Sequence, residues 1–107
     1  MRVKHKASPV RQLVAEALSP GVSRKLFEGE EATLIIYEFG PGGQSSPHEH
    51  SWEHLGYVMA GEITIALPDG ETKVSGGSVY HIASNARHTG HAGPEGATLL
   101  ESRARPR

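Results

Sequence analysis

The sequence predicts an all-β domain whose strands close into a barrel or pack as a double sheet. Thirteen glycines and seven prolines divide the chain into short apolar segments, and turn residues at such close intervals are typical of β-sandwiches and barrels. About eight of these segments have strand-forming composition, and closing a sheet at that strand number removes its exposed edges. A length of 107 residues allows one domain with one core and one principal site.

The N-terminal part of the chain carries a helical pattern. Apolar residues recur at helical spacing from Val10 to Leu18, and the following Ser19-Pro20-Gly21 would stop a helix. We therefore expect a short N-terminal helix or turn within an arm formed by residues 1–20. The barrel itself is expected over residues 21–102, and residues 103–107 form a basic C-terminal tail.

The remaining elements are predicted as strands that are separated by turn residues. Glu28-Gly29-Glu30, Ala60-Gly61 and Pro68-Asp69-Gly70 mark hairpin turns, and a polar loop that holds His88 and His91 precedes the last strand. The predicted strands, in chain order, are Val22–Glu28, Ala32–Phe39, Leu55–Met59, Glu62–Leu67, Glu71–Ser75, Ser78–Ile82 and Ala97–Ser102.

Histidines are the candidate metal ligands of this chain. It contains seven histidines and no cysteine, so thiolate ligands and thiolate nucleophiles are excluded. His48, His50 and His54 stand at even offsets, and in extended chain they can project to the same side. His88, at the end of a predicted strand, is the leading candidate for a fourth ligand. Glu53 has the opposite parity and is expected to face solvent or to support a ligand.

The glycine and histidine spacing resembles the cupin superfamily. Its first motif, G-x5-H-x-H-x(3 or 4)-E-x6-G, is matched from Gly42 through His48 and His50 to Gly61, with His54 in place of the usual glutamate. The second motif retains its first glycine at Gly77 and its histidine at His88, but Ala83, Asn85 and Ala92 replace the other members. The resemblance implies a small single-domain cupin, a β-barrel of jelly-roll type, with metal ligands His48, His50, His54 and His88.

The exchange of glutamate for histidine has an electrostatic consequence. Four neutral imidazoles leave a divalent ion its full charge, so the site should attract anionic, chelating ligands. An octahedral ion would keep two adjacent positions open for substrate, water or dioxygen. Imidazole suits Mn, Fe, Co, Ni, Cu and Zn, and the sequence does not choose among them.

A narrower resemblance concerns small cupins that convert unsaturated uronates to linear keto sugars. The segment Gly21–Phe27, which reads G-V-S-R-K-L-F, is similar to that family. The resemblance implies a catalytic role for Glu101 and a substrate-binding role for Arg107. Arg103, which replaces the family's phenylalanine, is a further candidate for substrate binding. Glu101 also shares parity with Leu99, so its carboxylate could face a metal pocket and act as a general base; a surface glutamate is the alternative.

Two further residues are candidates for contact with a substrate. Trp52 lies between the predicted ligands and could shape the mouth of the cavity. His91 could face the substrate from its loop. His81, within a predicted strand, is expected on the outer surface or at a subunit contact, and the tyrosines are expected to be mainly structural.

Three functions fit this pattern. The first is a metal-dependent enzyme that acts on a small anionic sugar acid or organic acid by chelation and proton transfer, with Glu101 or a water moving the proton. The second is a metal-dependent dioxygenase, since the open positions could hold substrate beside dioxygen. The third is a non-catalytic cupin that binds a small anion.

Charge and hydropathy limit the partners. The formal net charge is -1, and residues 26–101 hold eleven acids against two basic residues, so nucleic-acid binding is not expected. No apolar run reaches the length of a membrane span, and no secretory leader is evident, so a cytoplasmic protein without membrane contact is expected. A homodimer is expected from the resemblance, with Leu55, Tyr57 and Met59 available for packing on a partner subunit.

Overall fold

The computed structural model describes residues 5–104, which fold almost entirely as β-structure. Within this range, one 3-10 turn covers Val10–Gln12. Seven strands follow: β1 (Glu16–Ser19), β2 (Val22–Glu28), β3 (Ala32–Phe39), β4 (His54–Leu67), β5 (Gly70–Ser75), β6 (Val79–Ile82) and β7 (Thr89–Ala104). None of the helices within the described range has the length and hydropathy needed to cross a membrane.

All strand pairings are antiparallel, and β7 lies in the middle of the sheet. The order is β1-β2-β3-β7-β4-β5, with β6 also paired to β4. β7 pairs with β3 along residues 97–104 and with β4 along most of its length. Its Glu101 lies opposite Ile35 of β3 on one side and Gly56 of β4 on the other. The last strand therefore joins the two parts of the sheet that precede it.

One face of the sheet forms the hydrophobic core. Along β4, residues 54, 56 and 58 are buried while residues 55, 57 and 59 are exposed, as the two-residue repeat of a strand requires. Full burial of each large aliphatic side chain contributes roughly 1.5–3 kcal/mol. The core cluster comprises Val22, Phe39, Val58, Ile63, Ile65, Val74, Ile82, Ala92, Ala97 and Leu99.

The predicted turn at Ala60-Gly61 is wrong, because β4 continues through it as one strand. Pairing with β7 shifts register on both sides of Gly61, and Gly61 has a φ of +78°. A Cβ there would lie 2.0 Å from the carbonyl oxygen of Gly96, so the two backbones meet more closely than any side chain permits. The glycine therefore marks a bulge within a long strand, and the two strands predicted on either side of it are one strand, β4.

The predicted short N-terminal helix or turn is present as a turn, but the helical spacing does not continue as a helix to Leu18. Only Val10–Gln12 is helical, whereas Ala17 pairs with Ser23 of β2. No residue of the turn is buried, and Leu18 remains 43% exposed. A short helix without an apolar surface to pack against is marginal in water, and pairing with the edge of β2 satisfies the backbone instead.

The boundaries of the last strand differ from the prediction as well. β7 begins at Thr89 rather than Ala97 and ends at Ala104 rather than Ser102, so His91 lies on a strand and not on a loop. At the N-terminal side, β1 brings residues 16–19 of the predicted arm into the sheet. Arg107 lies outside the described residues.

Candidate functional site

Two histidines from distant parts of the chain meet through a backbone bridge. The His48 N–H donates to the His88 carbonyl oxygen at 3.1 Å, and the His88 N–H donates to the His48 carbonyl oxygen at 2.9 Å. His50 follows two residues later on the same side. Candidate ligand atoms of His48, His50 and His88 all lie within 4.8 Å of one another. The structure thus brings together three of the four histidines that the motif predicts.

The orientation of two of these rings is fixed by main-chain oxygens. Nδ1 of His48 lies 2.7 Å from the Ser46 carbonyl oxygen, and Nδ1 of His88 lies 2.8 Å from the Ala86 carbonyl oxygen. A carbonyl oxygen only accepts, so each Nδ1 carries the proton. The Nε2 lone pair of both rings is then available for a metal ion.

Two of the site histidines, His50 and His88, favour the neutral state. Burial, with the neighbouring His54, His48 and His88, lowers the pKa of His50 to about 4 from its ordinary value of 6.5. Burial also lowers the pKa of His88, although the bond to Ala86 opposes it. Burial, together with the neighbouring imidazoles, therefore keeps His50 and His88 unprotonated at neutral pH, which is the state that metal binding requires.

His54 lies beside this cluster at the start of β4. It is 2% exposed, and its ring centroid lies 4.8 Å from that of His50 and 5.9 Å from that of His88. Nε2 is buried without a hydrogen-bond partner among residues 5–104. A buried polar atom left without a partner is costly, and a cation held between the four rings would satisfy it. The residues present therefore fit a transition-metal ion.

Glu101 is buried between His54 and Tyr80. Its Oε1 lies 2.9 Å from Nδ1 of His54, without the alignment of a hydrogen bond, and its Oε2 accepts a 2.5 Å hydrogen bond from the Tyr80 hydroxyl. Burial, followed by the charge of Glu101, raises the pKa of Tyr80 above its ordinary value, so Tyr80 stays a donor. Glu101 is only 6% exposed and faces inward, as its parity with Leu99 predicts.

Gly56 makes the Tyr80 contact possible. Gly56 lies opposite both Tyr80 of β6 and Glu101 of β7 in the sheet. A Cβ at position 56 would lie 2.1 Å from Cζ of Tyr80. The ring therefore crosses the space that a side chain on β4 would fill, and this crossing brings its hydroxyl to Glu101.

His48, His50, His88 and Glu101 line a cavity of about 250 Å³. Most of its wall is apolar, with Val22, Phe39 and Leu99 among the lining residues. A cavity of this size suits a small molecule.

The sequence did not indicate three polar residues that also line the cavity: Arg24, Tyr37 and Tyr80. The signal that could have found them is parity, because Arg24 lies two residues from buried Val22 and Tyr37 two residues from buried Phe39. Burial and the charge of Glu101 raise the pKa of Tyr37 to about 12, against the effect of Arg24.

The other predicted substrate contacts lie around this cavity rather than in its wall. Trp52 stacks on His50 with ring centroids 4.9 Å apart. The guanidinium carbon of Arg103, a residue of β7, lies 4.4 Å from the Trp52 ring centroid. His91 is exposed on β7 and is not a lining residue. His81 is exposed and pairs with Glu53 at 3.0 Å, so both are surface residues.

Comparisons with known proteins point to one family. The family model described as Cupin domain matches residues 35–101. The dimethylsulfoniopropionate lyase DddW of Ruegeria pomeroyi is 40% identical over 78 residues, which cover 68% of this chain and 51% of that protein. The chain therefore spans about half the length of this curated relative.

Solved structures agree on the fold. An RmlC-like cupin from Shewanella frigidimarina has a TM-score of 0.83 and 19% identity, covering 100% of this chain and 96% of the other. KdgF from Halomonas sp. has a TM-score of 0.84 and 18% identity, covering 97% and 96%. At these identities the likeness concerns the fold alone, and it confirms the predicted all-β barrel of jelly-roll type.

Proposed function

The chain belongs to the cupin domain family, and from this premise we propose that it is a metal-dependent enzyme acting on a small anionic sugar acid or organic acid. One observation carries the proposal. Three histidines converge beside a buried carboxylate, and both line the same small cavity. Abstraction of a proton from a carbon next to a carbonyl or carboxyl group needs a base that accepts the proton and a cation that stabilises the resulting negative charge.

The ligand set that we propose is His48, His50 and His88, completed by His54. The first three already lie within reach of a common ion, and the orphaned Nε2 of His54 supports its inclusion. A bound divalent ion would supply electrostatic stabilisation of negative charge that develops on substrate oxygens. Mn, Fe, Co, Ni, Cu and Zn all accept imidazole nitrogen, so the ion remains to be measured.

Glu101 is the proposed general base. The hydrogen bond from Tyr80 holds one carboxylate oxygen, so the side chain is fixed and its negative charge is stabilised in a buried place. In the proposed step, Glu101 accepts a proton from a substrate carbon adjacent to a carbonyl or carboxyl group, and Tyr80 remains protonated throughout.

A lyase reaction is a second candidate, favoured by the likeness to dimethylsulfoniopropionate lyase DddW. Elimination from a small carboxylate begins with the same proton abstraction, so Glu101 would keep its role. The two candidate reactions differ in the substrate and in the leaving group, and both use Glu101 as the base.

The experiment begins with the metal content of protein purified without added ions. Protein loaded separately with each ion is then incubated with an unsaturated uronate and with dimethylsulfoniopropionate, with and without air, and products are followed by NMR. We expect oxygen-independent turnover of a small acid, lost on chelation and reduced at least a hundredfold in Glu101→Gln. Glu71→Gln, an exposed change on β5, is the matched control.

Three results would contradict the proposal. Oxygen consumption that depends on substrate would identify a dioxygenase. Saturable binding of small anions without turnover would identify a binding protein. Full activity in Glu101→Gln would remove the assignment of the base.

A further inference from the structure

Arg24 is a cation in an otherwise largely apolar part of the cavity wall. It projects from β2, whereas the histidines come from the segment before β4 and from the bridge before β7. Its neighbour across the β2–β3 pair is Tyr37, which also lines the cavity. The cavity therefore has a second polar wall besides the one that carries the histidines.

The donors of Arg24 are not fully used within the described chain. Nε is buried and has no hydrogen-bond partner among the described residues. The nearest acid, Glu16 of β1, has its Oε1 3.6 Å from that nitrogen and is about half exposed. An arginine offers five N–H donors in a planar fork that suits a carboxylate, and leaving such donors unmet in a partly buried place is unfavourable.

We infer that Arg24 binds an anionic group of the ligand and thereby determines specificity, with the cation site and Arg24 holding two different ends of one molecule. The inference rests on the proposed function, because it assumes that a small acid occupies this cavity. Glu101, which lies beside the histidines, is already engaged by Tyr80. Tyr37, which accepts a hydrogen bond from Arg24, is neutral and can still donate its hydroxyl hydrogen. Both neighbours therefore leave room for an anion at Arg24.

This arrangement selects among chemical classes of ligand. A sugar acid presents chelating hydroxyl or carbonyl oxygens at one end and a carboxylate at the other, so it satisfies both walls. A small zwitterion such as dimethylsulfoniopropionate has one carboxylate and a cationic end. If its carboxylate binds the metal ion, its cationic end lies near Arg24. If its carboxylate binds Arg24, its cationic end lies near the metal ion. In both orientations, repulsion between like charges disfavours binding of the zwitterion.

The test compares a matched pair of sugars on metal-loaded protein by isothermal titration calorimetry. Galacturonate and galactose differ in the carboxylate, so the ratio of their affinities measures recognition of the anionic group. We expect wild-type protein to prefer galacturonate about tenfold to a hundredfold, as for a charge-assisted hydrogen bond. Arg24→Gln should reduce the preference to about twofold while leaving the affinity for galactose unchanged. Arg24→Lys should retain part of it.

The controls separate this inference from the proposed function. Lys73→Gln removes the same charge from an exposed site on β5 and should leave the preference unchanged. The inference is overturned if wild-type protein binds galacturonate no better than galactose. It is also overturned if the Arg24→Gln variant keeps the preference, or if this variant binds dimethylsulfoniopropionate more weakly than wild type does. Failure of the proposed function would give a different result. Wild-type protein would still prefer galacturonate and Arg24→Gln would still lose this preference, but no small acid would be turned over.

Discussion

The hydroxyl group of Tyr80 donates a 2.5 Å hydrogen bond to Oε2 of Glu101, reaching it across the bare backbone of Gly56. Three strands meet in this contact, with the acceptor on β7, the donor on β6 and the gap on β4. The hydrogen bond to the buried Glu101 carboxylate therefore requires that β4 carries no side chain at Gly56, between the donor and the acceptor. This dependence gives the first prediction.

Gly56→Ala should displace the Tyr80 ring, because the new Cβ would lie 2.1 Å from Cζ of that ring. We expect a loss of about 1–3 kcal/mol in the free energy of unfolding, from overpacking and from the weakened hydrogen bond. Urea denaturation measures it. Gly76→Ala, where the nearest atom lies at 3.5 Å, is the control. In a Tyr80→Ala background the cost of Gly56→Ala should fall, and an unchanged cost would show that the ring is not the obstacle.

His54→Ala should weaken binding of a divalent ion. If His54 is the fourth ligand, its removal should cost at least about tenfold in affinity, measured by calorimetric titration with Zn²⁺ and by the visible spectrum of the Co²⁺ form. His81→Ala removes an exposed imidazole instead and should change neither readout. Equal affinity in wild type and His54→Ala would leave His48, His50 and His88 as a three-histidine site.

Acid should destabilise the metal-free protein. The pKa of His50 is about 4 in the folded state and 6.5 ordinarily, so between these values the unfolded chain binds a proton that the folded chain does not. The contribution of neutral His50 to the free energy of unfolding is therefore fully present above about pH 6.5, and it decreases as the pH falls towards 4. Thermal unfolding of chelator-treated protein across this range measures the effect, and His50→Gln should flatten the profile. A profile unchanged by His50→Gln would contradict the assignment.

The outer face of the sheet should mediate a homodimer. Leu55, Tyr57 and Met59 are 56%, 41% and 51% exposed, and Val79 on the neighbouring β6 is 76% exposed. A contiguous apolar surface of this kind is typical of a subunit contact. Light scattering after gel filtration should give twice the chain mass for wild type and the monomer mass for Leu55→Lys/Met59→Lys. A wild-type monomer at high concentration would contradict the prediction, and Lys73→Gln serves as the surface control.

The histidine site was largely predictable because it depends on local spacing. The even offsets of His48 and His50 and the parity of Glu101 with Leu99 follow from the strand repeat, and the structure places those three side chains inward. Parity could place Arg24 on the inner face beside Val22, but it could not assign a role to Arg24 or to Tyr80. Their role follows from which strands become neighbours, and strand order is a long-range property that residue spacing does not determine.

The errors in the fold have a common physical origin. Ala60-Gly61 has the composition of a turn, yet contact with Gly96, distant in sequence, makes it a bulge. Val10 to Leu18 has helical spacing, yet no core surface lies opposite it and β2 offers backbone partners instead. In both places tertiary contacts overrode a local preference.

The central place of β7 has a consequence for biosynthesis. Both β3 and β4 leave the ribosome before the strand that hydrogen-bonds to each of them, so for a time each nascent strand exposes the edge that β7 will later cover. Such edges promote association between unfinished chains. Glu101, on β7, and the bridge that aligns His48 with His88 can join the site only after this late insertion, so uptake of a metal ion should follow translation of β7 rather than accompany the first hairpins.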